Sequence, residues 1–408
     1  EILRTDVTEA DLAAAITDER GVKYSPDGLR LLKAPESVVW ITDEERGTSL
    51  PVKGGSVCGN YIVKNGTEVI CNSAFYGCTL FESIIITDSV TSIGSRAFDL
   101  CLSLASVAIP DGVTSIGNSV FRGCESLTSI TIPSRVTNIG NGAFSGCSSL
   151  ASIIIPNSVT SIGYGAFREC SSLTSITIPD NVTSIGDSAF EWCSSLASIS
   201  IPNSITSIGE GVFGGCSSLT SVTIPTSVRE MKGNPFYGWS GELIIKSPYF
   251  TYEDGVLFSK NKDKIIAFRQ HKARSYVIPD SVTSIGDWAF SGCSKLTSIT
   301  IPDSVTSIGD HAFSGCSRLT SITIPDNVMS IGNGTFEDCL SLTSITIPDS
   351  MTSIGYRSFG SCESLVSVTI PNSVKSIDNG AFCGCDSLID ETVNEIKRRF
   401  GYDAFLPF

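Results

Sequence analysis

The chain has 408 residues, 41% apolar and 17% charged, a balance that excludes a disordered polymer and suits two or three ordinary domains or one long array. Its formal net charge of −14 opposes a duplex or polyphosphate partner unless a local basic patch overrides that field. No apolar run reaches the length of a membrane span. Only two histidines, His271 and His311, offer general acid–base chemistry near neutral pH. No basic-then-apolar leader follows Glu1, which leaves open a cytosolic chain and a chain whose leader has been removed.

Residues 1–60 read as an N-terminal cap. Thr8 to Asp18 carries a helical pattern, and Gly21 to Ser25, the turn Pro26-Asp27-Gly28 and Leu29 to Leu32 read as a β-hairpin. Residues 61–245 then form a first repeat array. Cys78, Cys101, Cys124, Cys147, Cys170, Cys193 and Cys216 follow one another at steps of 23 residues. Cys293, Cys316, Cys339, Cys362 and Cys385 repeat the step in a second series. With the cysteine as position 1, position 4 is Leu almost throughout, positions 7 and 9 are usually Ile or Val, and position 10 is Pro in nearly every copy. Positions 13 and 16 are apolar, position 17 is usually Gly, and positions 20 and 21 are usually Ala-Phe.

Each position has a physical task. In the rung starting at Cys293, Leu296, Ile299 and Ile301 show the alternation of a strand. Pro302 lacks an N–H and ends the pairing, Asp303 and Ser304 turn the chain, and Val305 to Ile308 gives a second short extended piece. Asp or Asn at position 18 (Asn118, Asp187, Asp287, Asp310) suits a helix N-cap. Ala312, Phe313 and Cys316 share one face of an expected short helical turn, which Gly315 ends. No rung buries its apolar side alone, so the rungs stack into an α/β solenoid with a parallel sheet on one face.

The words L-x-x-I-x-I-P and I-G-x-x-A-F-x-x-C, spread over roughly residues 61–389, resemble the BspA-like leucine-rich repeats of bacterial surface proteins. The resemblance implies a right-handed, curved leucine-rich repeat array of 23-residue rungs. Its parallel β-sheet takes the concave face, with short helical turns on the other. It also implies a bacterial cell-surface or secreted location, adhesion to host extracellular-matrix or microbial surface proteins or glycans, and no catalytic residues to carry over.

The ladder cysteines, among them Cys101, Cys124, Cys147, Cys170, Cys193, Cys293, Cys316 and Cys339, read as buried packing. Seven in one series and five in the other cannot pair fully as disulfides, and a straight ladder does not converge on a tetrahedral metal. Cys58, Cys71 and Cys383 lie off the ladder, and Cys383 falls where the repeat is usually polar.

The array breaks at Pro235. Residues 246–275 read as a β-hairpin insert, Gly255–Ser259 and Lys264–Phe268 around the turn Lys260 to Asp263. The second array takes residues 276–389, and 390–408 form a C-terminal capping helix and tail, acidic first and basic last.

Three surfaces are candidate sites. The insert holds seven Lys or Arg and three acids, and its Tyr249, Tyr252, Lys260, Lys262, Lys264, Arg269, Lys272 and Arg274 suit an acidic partner or sulfated glycan. The variable positions beside the Ala-Phe pair carry Tyr164, Trp192, Trp288 and Tyr356. Positions 6 and 8 face away from the core as columns of short hydroxyls, such as Ser129/Thr131 and Ser298/Thr300. Against each stands a plain solvated surface. His311 beside Asp310 is not matched in other rungs, and no phosphate loop, H-E-x-x-H or C-x-x-C occurs, so the expectation is a non-enzymatic chain without metal or cofactor. The sequence therefore predicts an adhesin or recognition scaffold, or alternatively a structural spacer that displays another part of a longer protein.

Overall fold

The structure, a computed structural model, describes residues 3–43, 48–53 and 59–406, and for 38–43 and 48–53 the backbone alone. Cys58 lies outside the described residues. The chain divides into two compact units, 1–230 with 241–246, and 231–240 with 247–408.

In the first unit, strands Gly59–Ile62, Phe81–Ile85, Ser106–Ala108, Ser129–Thr131, Ser152–Ile154, Ser175–Thr177 and Ser198–Ser200 form one parallel sheet. Its register is one rung: Ser129 pairs with Ser152, Ile130 with Ile153 and Thr131 with Ile154. The four strands from Ser106–Ala108 to Ser175–Thr177 each bury their central Ile or Val and expose the two flanking residues, as the period-two pattern demands. Two-residue strands at positions 15 and 16, such as Ser161–Ile162 and Ser184–Ile185, build a second parallel ladder. The second unit repeats both ladders, with Ser321↔Ser344 in one and Ser330↔Ser353 in the other.

Between the ladders the position-21 phenylalanines stack. Phe121, Phe144 and Phe167 have ring centroids 5.6 and 5.5 Å apart and planes within 9°. Phe313, Phe336 and Phe359 match them at 5.5 Å. Offset stacking of this kind contributes about 0.5–1.5 kcal/mol per pair beyond area burial. The ladder cysteines lie in the same interior, and Cys101 to Cys216 and Cys316 to Cys385 each donate the thiol to the carbonyl of the Phe 26 residues earlier, as Cys147 Sγ to Phe121 O at 3.1 Å and Cys316 Sγ to Phe290 O at 3.3 Å. The fourteen described cysteines are all free, and all but Cys383 are buried. The ladder is thus packing with a weak hydrogen bond in most rungs.

The expected short helical turn is not a helix. Its backbone N–H groups alternate between two destinations. Ala289, Ser291 and Cys293 donate three residues back within their rung, whereas Trp288, Phe290 and Gly292 donate to Asp310, Ala312 and Ser314 of the next. A helix would keep all of these donors inside one segment. Positions 19 and 23 take positive φ, as Gly142 (60°) with Gly146 (73°) and His311 (51°) with Gly315 (72°), which interrupts α geometry every four residues. The position-18 carboxylates and amides are likewise not N-caps. Asn118 accepts from the Asn141 N–H at 2.9 Å and Asp310 from the Asn333 N–H at 2.8 Å, each reaching one rung onward. Gly at position 17 lets the rungs approach: a Cβ on Gly163 would lie 2.7 Å from the Asn141 nitrogen.

Each unit opens with three antiparallel strands. In the first these are Ile16–Thr17, Lys23–Tyr24 and Arg30–Lys33; in the second, Phe250–Glu253, Val256–Ser259 and Lys264–Phe268. The third strand of each set pairs in parallel with the first short strand of its array, Leu31 with Ile70 and Ile265 with Ile285. The segment read as an inserted hairpin therefore begins the second unit's ladder, with a strand that the sequence reading lacked. Phe268 enters the phenylalanine stack, 4.8 Å from Phe290. The N-terminal helix is shorter than expected, Glu9–Ala14, because Ile16 and Thr17 pair as a strand. Thr8 and Asp11 cap it reciprocally. The C-terminal helix Asp390–Phe400 buries Ile396, rests Val393 and Phe400 against the second unit's core, and places Arg399 on the carbonyls of Ile370 and Pro371.

Candidate functional site

The structure separates the eight candidates of residues 246–275 into different roles. Arg269 is a correction: it is buried, not available to a partner. Its Nη1 donates to the Trp239 carbonyl at 3.1 Å, its guanidinium lies 4.3 Å over the Trp239 ring, and it hydrogen-bonds Tyr252. Burial pushes its pKa down from the usual arginine value. Lys262 pairs with Glu253 and Lys264 lays its stem over Gly286. Tyr249 and Lys260 are exposed, and Tyr252 is half-buried. Lys272 and Arg274 are exposed and join two residues of the following rungs, Lys295 and Arg318, around an open cavity of about 260 Å³ completed by His271 and Thr297. Lys272, Lys295 and Arg318 all stand at position 3 of consecutive rungs. Sequence reasoning missed Lys295 and Arg318, although the 23-residue period places them one and two rungs beyond Lys272.

The variable edge also divides. Tyr164 and Trp192 are exposed in the first unit, and the Trp192 indole donates to Glu191 at 3.0 Å. Trp288 is a correction, because both ring faces are covered: Tyr237 stacks at 5.0 Å and His311 at 4.1 Å. Tyr356 is half-buried beside Arg357. His311 faces Glu337 at 3.5 Å, and Arg357 reaches the same carboxylate at 2.7 Å, so His311 belongs to an edge network. Among the described residues no group of three or more His, Cys, Asp or Glu is placed to hold a metal, and no helix is long and apolar enough to cross a membrane.

The exposed sheet face departs from the expected hydroxyl columns. Position 8 of the first unit reads Ile62, Ile85, Ala108, Thr131, Ile154, Thr177. Ile62 is 63% exposed, Ile85 47% and Ile154 81%, so these side chains stand in water rather than in the core. Over the strands Ser83–Ile85, Ser106–Ala108 and Ser129–Thr131 the face forms a shallow cavity of about 440 Å³. Three successive rungs at its start, Ile62, Ile85 and Ala108, make one contiguous apolar strip rimmed by Asn60, Ser83 and Ser106.

The profile of the BspA type leucine rich repeat region (6 copies) matches residues 58–157, 137–249 and 264–404. The chain belongs to the BspA-type leucine-rich repeat family. Among solved structures it is similar to a leucine rich cell surface protein of Faecalibacterium prausnitzii, at 30% identity over 92% of this chain and 93% of that one, with a TM-score of 0.60. It also matches a leucine-rich repeat protein of Bacteroides ovatus at 25% identity, covering 88% of this chain and 98% of that one, with a TM-score of 0.41. A leucine rich repeat protein of T. pallidum is 32% identical over 46% of this chain and 90% of that one, with a TM-score of 0.38. A comparison with curated proteins gave no match. BspA-type proteins are bacterial surface proteins whose leucine-rich repeat solenoid is an interaction scaffold. In this BspA-type chain two surfaces where exposed residues depart from the repeat are the apolar strip of the first unit and the cation column of the second.

Proposed function

We propose that the chain is a non-enzymatic recognition scaffold of the bacterial cell surface, an adhesin for host extracellular-matrix or microbial surface proteins or glycans. One observation carries this reading: Ile62, Ile85 and Ala108 form an exposed apolar strip on a rigid, in-register sheet. A pure spacer has no use for such a strip, since Thr or Ser serves the same position in neighbouring rungs and suits both water and strand. Contiguous exposed apolar surface rimmed by polar groups is a common mark of a protein-binding face. The fold supplies the rest, a long surface on which weak contacts add.

The test is binding of the purified chain to a panel of matrix proteins and glycans, alongside the variant Ile62→Thr/Ile85→Thr. Thr already occupies this position at Thr131 and Thr177, so the variant keeps the rung. Saturable binding by the chain, weakened in the variant, is the expected result. A panel without any binding would favour the spacer, and binding untouched by the variant would remove the strip from the site.

A further inference from the structure

Position 3 of the rung is serine through most of both arrays, as at Ser126, Ser149 and Ser172 in the first unit and Ser341 and Ser364 in the second. Lys272, Lys295 and Arg318 replace it in three consecutive rungs, and Arg274 adds a fourth cation where the next rung has Thr297. All four line the cavity of about 260 Å³, and no Asp or Glu lines it. Among the described residues none of the four forms an ion pair, although acids outnumber bases in the chain by 42 to 28. Neighbouring rungs of a parallel ladder stand about 4.8 Å apart, so the column sets like charges directly beside one another, an arrangement that opposes folding. Serine avoids that repulsion in the rungs that follow, at Ser341 and Ser364.

We infer that this column is a binding site for a sulfated polysaccharide, distinct from the apolar strip. The arginine forks and lysine ammonium groups match sulfate oxygens as charge-assisted donors. The rung spacing of about 4.8 Å is close to the length of one sugar unit, so successive sulfates meet successive rungs. Nucleic acid fits less well. No Phe, Tyr or Trp lines the cavity to stack bases.

The experiment is calorimetric titration of the whole chain with heparin, fully desulfated heparin and a single-stranded oligonucleotide of matched charge, at two salt concentrations. It is repeated with Lys272→Ser/Lys295→Ser/Arg318→Ser, which installs the residue that the following rungs carry, and with Arg274→Thr, which installs the residue of the next rung. Melting curves check both folds. Heparin should bind saturably, weaken with salt, and lose at least about tenfold in the triple variant and less in Arg274→Thr. Desulfated heparin should not compete. Absence of heparin binding, equal binding by desulfated heparin, undiminished binding in both folded variants, or tighter binding of the oligonucleotide would each overturn the proposal. If the triple variant does not fold, the Arg274→Thr result decides. The Ile62→Thr/Ile85→Thr variant should bind heparin as the parent does, so failure at one surface does not stand for failure at the other.

Discussion

The two arrays share an interior and differ in their surface. Phe144 and Phe313, Cys147 and Cys316, Val159 and Val328 sit in matching buried places. The first unit puts isoleucine at several sheet-face positions and serine at most of its position-3 places, whereas the second puts mostly threonine on that face and cations at position 3 of three consecutive rungs. The comparison teaches that rungs are interchangeable where they stack and individual where they meet water. Duplication accounts for the first property.

The largest effect expected of a shared interior is on alkaline stability. Burial raises the thiol pKa at six ladder cysteines of the first unit, Cys101 to Cys216, and at five of the second, Cys293 to Cys385. Cys216, Cys293, Cys339 and Cys385 are held up to about 12. The folded pKa is above the unfolded value of 9.0, so the stabilisation is complete below pH 9 and is lost as pH rises toward 12. Each thiol then withdraws about 1.4 kcal/mol per pH unit. Circular dichroism in reductant across this range should show both units unfolding. A fold unchanged to pH 11 would show that the thiols are not buried.

Truncating the stack should cost the same in both arrays. Phe144→Ala and Phe313→Ala should each destabilise their own unit by about 3–5 kcal/mol in urea titrations. Unequal losses would mean that the interiors are not equivalent. Adding a methyl at position 17 is a smaller insult. Gly163→Ala and Gly309→Ala would set a Cβ 2.7 and 2.6 Å from the backbone nitrogens of Asn141 and Asp287, costing about 1–3 kcal/mol each.

The smallest effect should differ in sign between units. Ser188 and Trp288 both hold position 19 at positive φ, 56° and 57°. Ser188→Gly should raise stability by about 1 kcal/mol through relief of the left-handed backbone. Trp288→Gly should lower it, because the Tyr237–Trp288–His311 stack goes with the indole. Two gains would contradict a structural role for Trp288.

Much of the fold was legible because a 23-residue period assigns every apolar position at once. The strands around Ile130 and Ile299 and the buried cysteines follow from period and polarity alone. The helical turn misled because Ala-Phe-x-x-Cys satisfies one helical face and two consecutive turns equally. The glycines at positions 19 and 23, such as Gly211 and Gly215, distinguish the two by demanding positive φ four residues apart. Position 18 misled because an Asp that caps a helix and an Asp that reaches the next rung look alike in one dimension. The candidate site was half visible. Lys272 and Arg274 were found as part of a basic segment, but Lys295 and Arg318 become their neighbours only when the chain is read down its columns. Arg269 and Trp288 were taken for surface because nothing local in the sequence shows the Trp239 and Tyr237 rings that cover them.

The central claim is that this scaffold recognises something through the surfaces where its rungs differ. The most direct measurement is binding of the purified chain to matrix proteins and glycans at low and high salt, with the isoleucine and cation variants in parallel. The account predicts saturable binding that at least one of the two variants weakens while its melting curve stays unchanged. Saturable binding indifferent to both variants, or no binding across the panel, would contradict it.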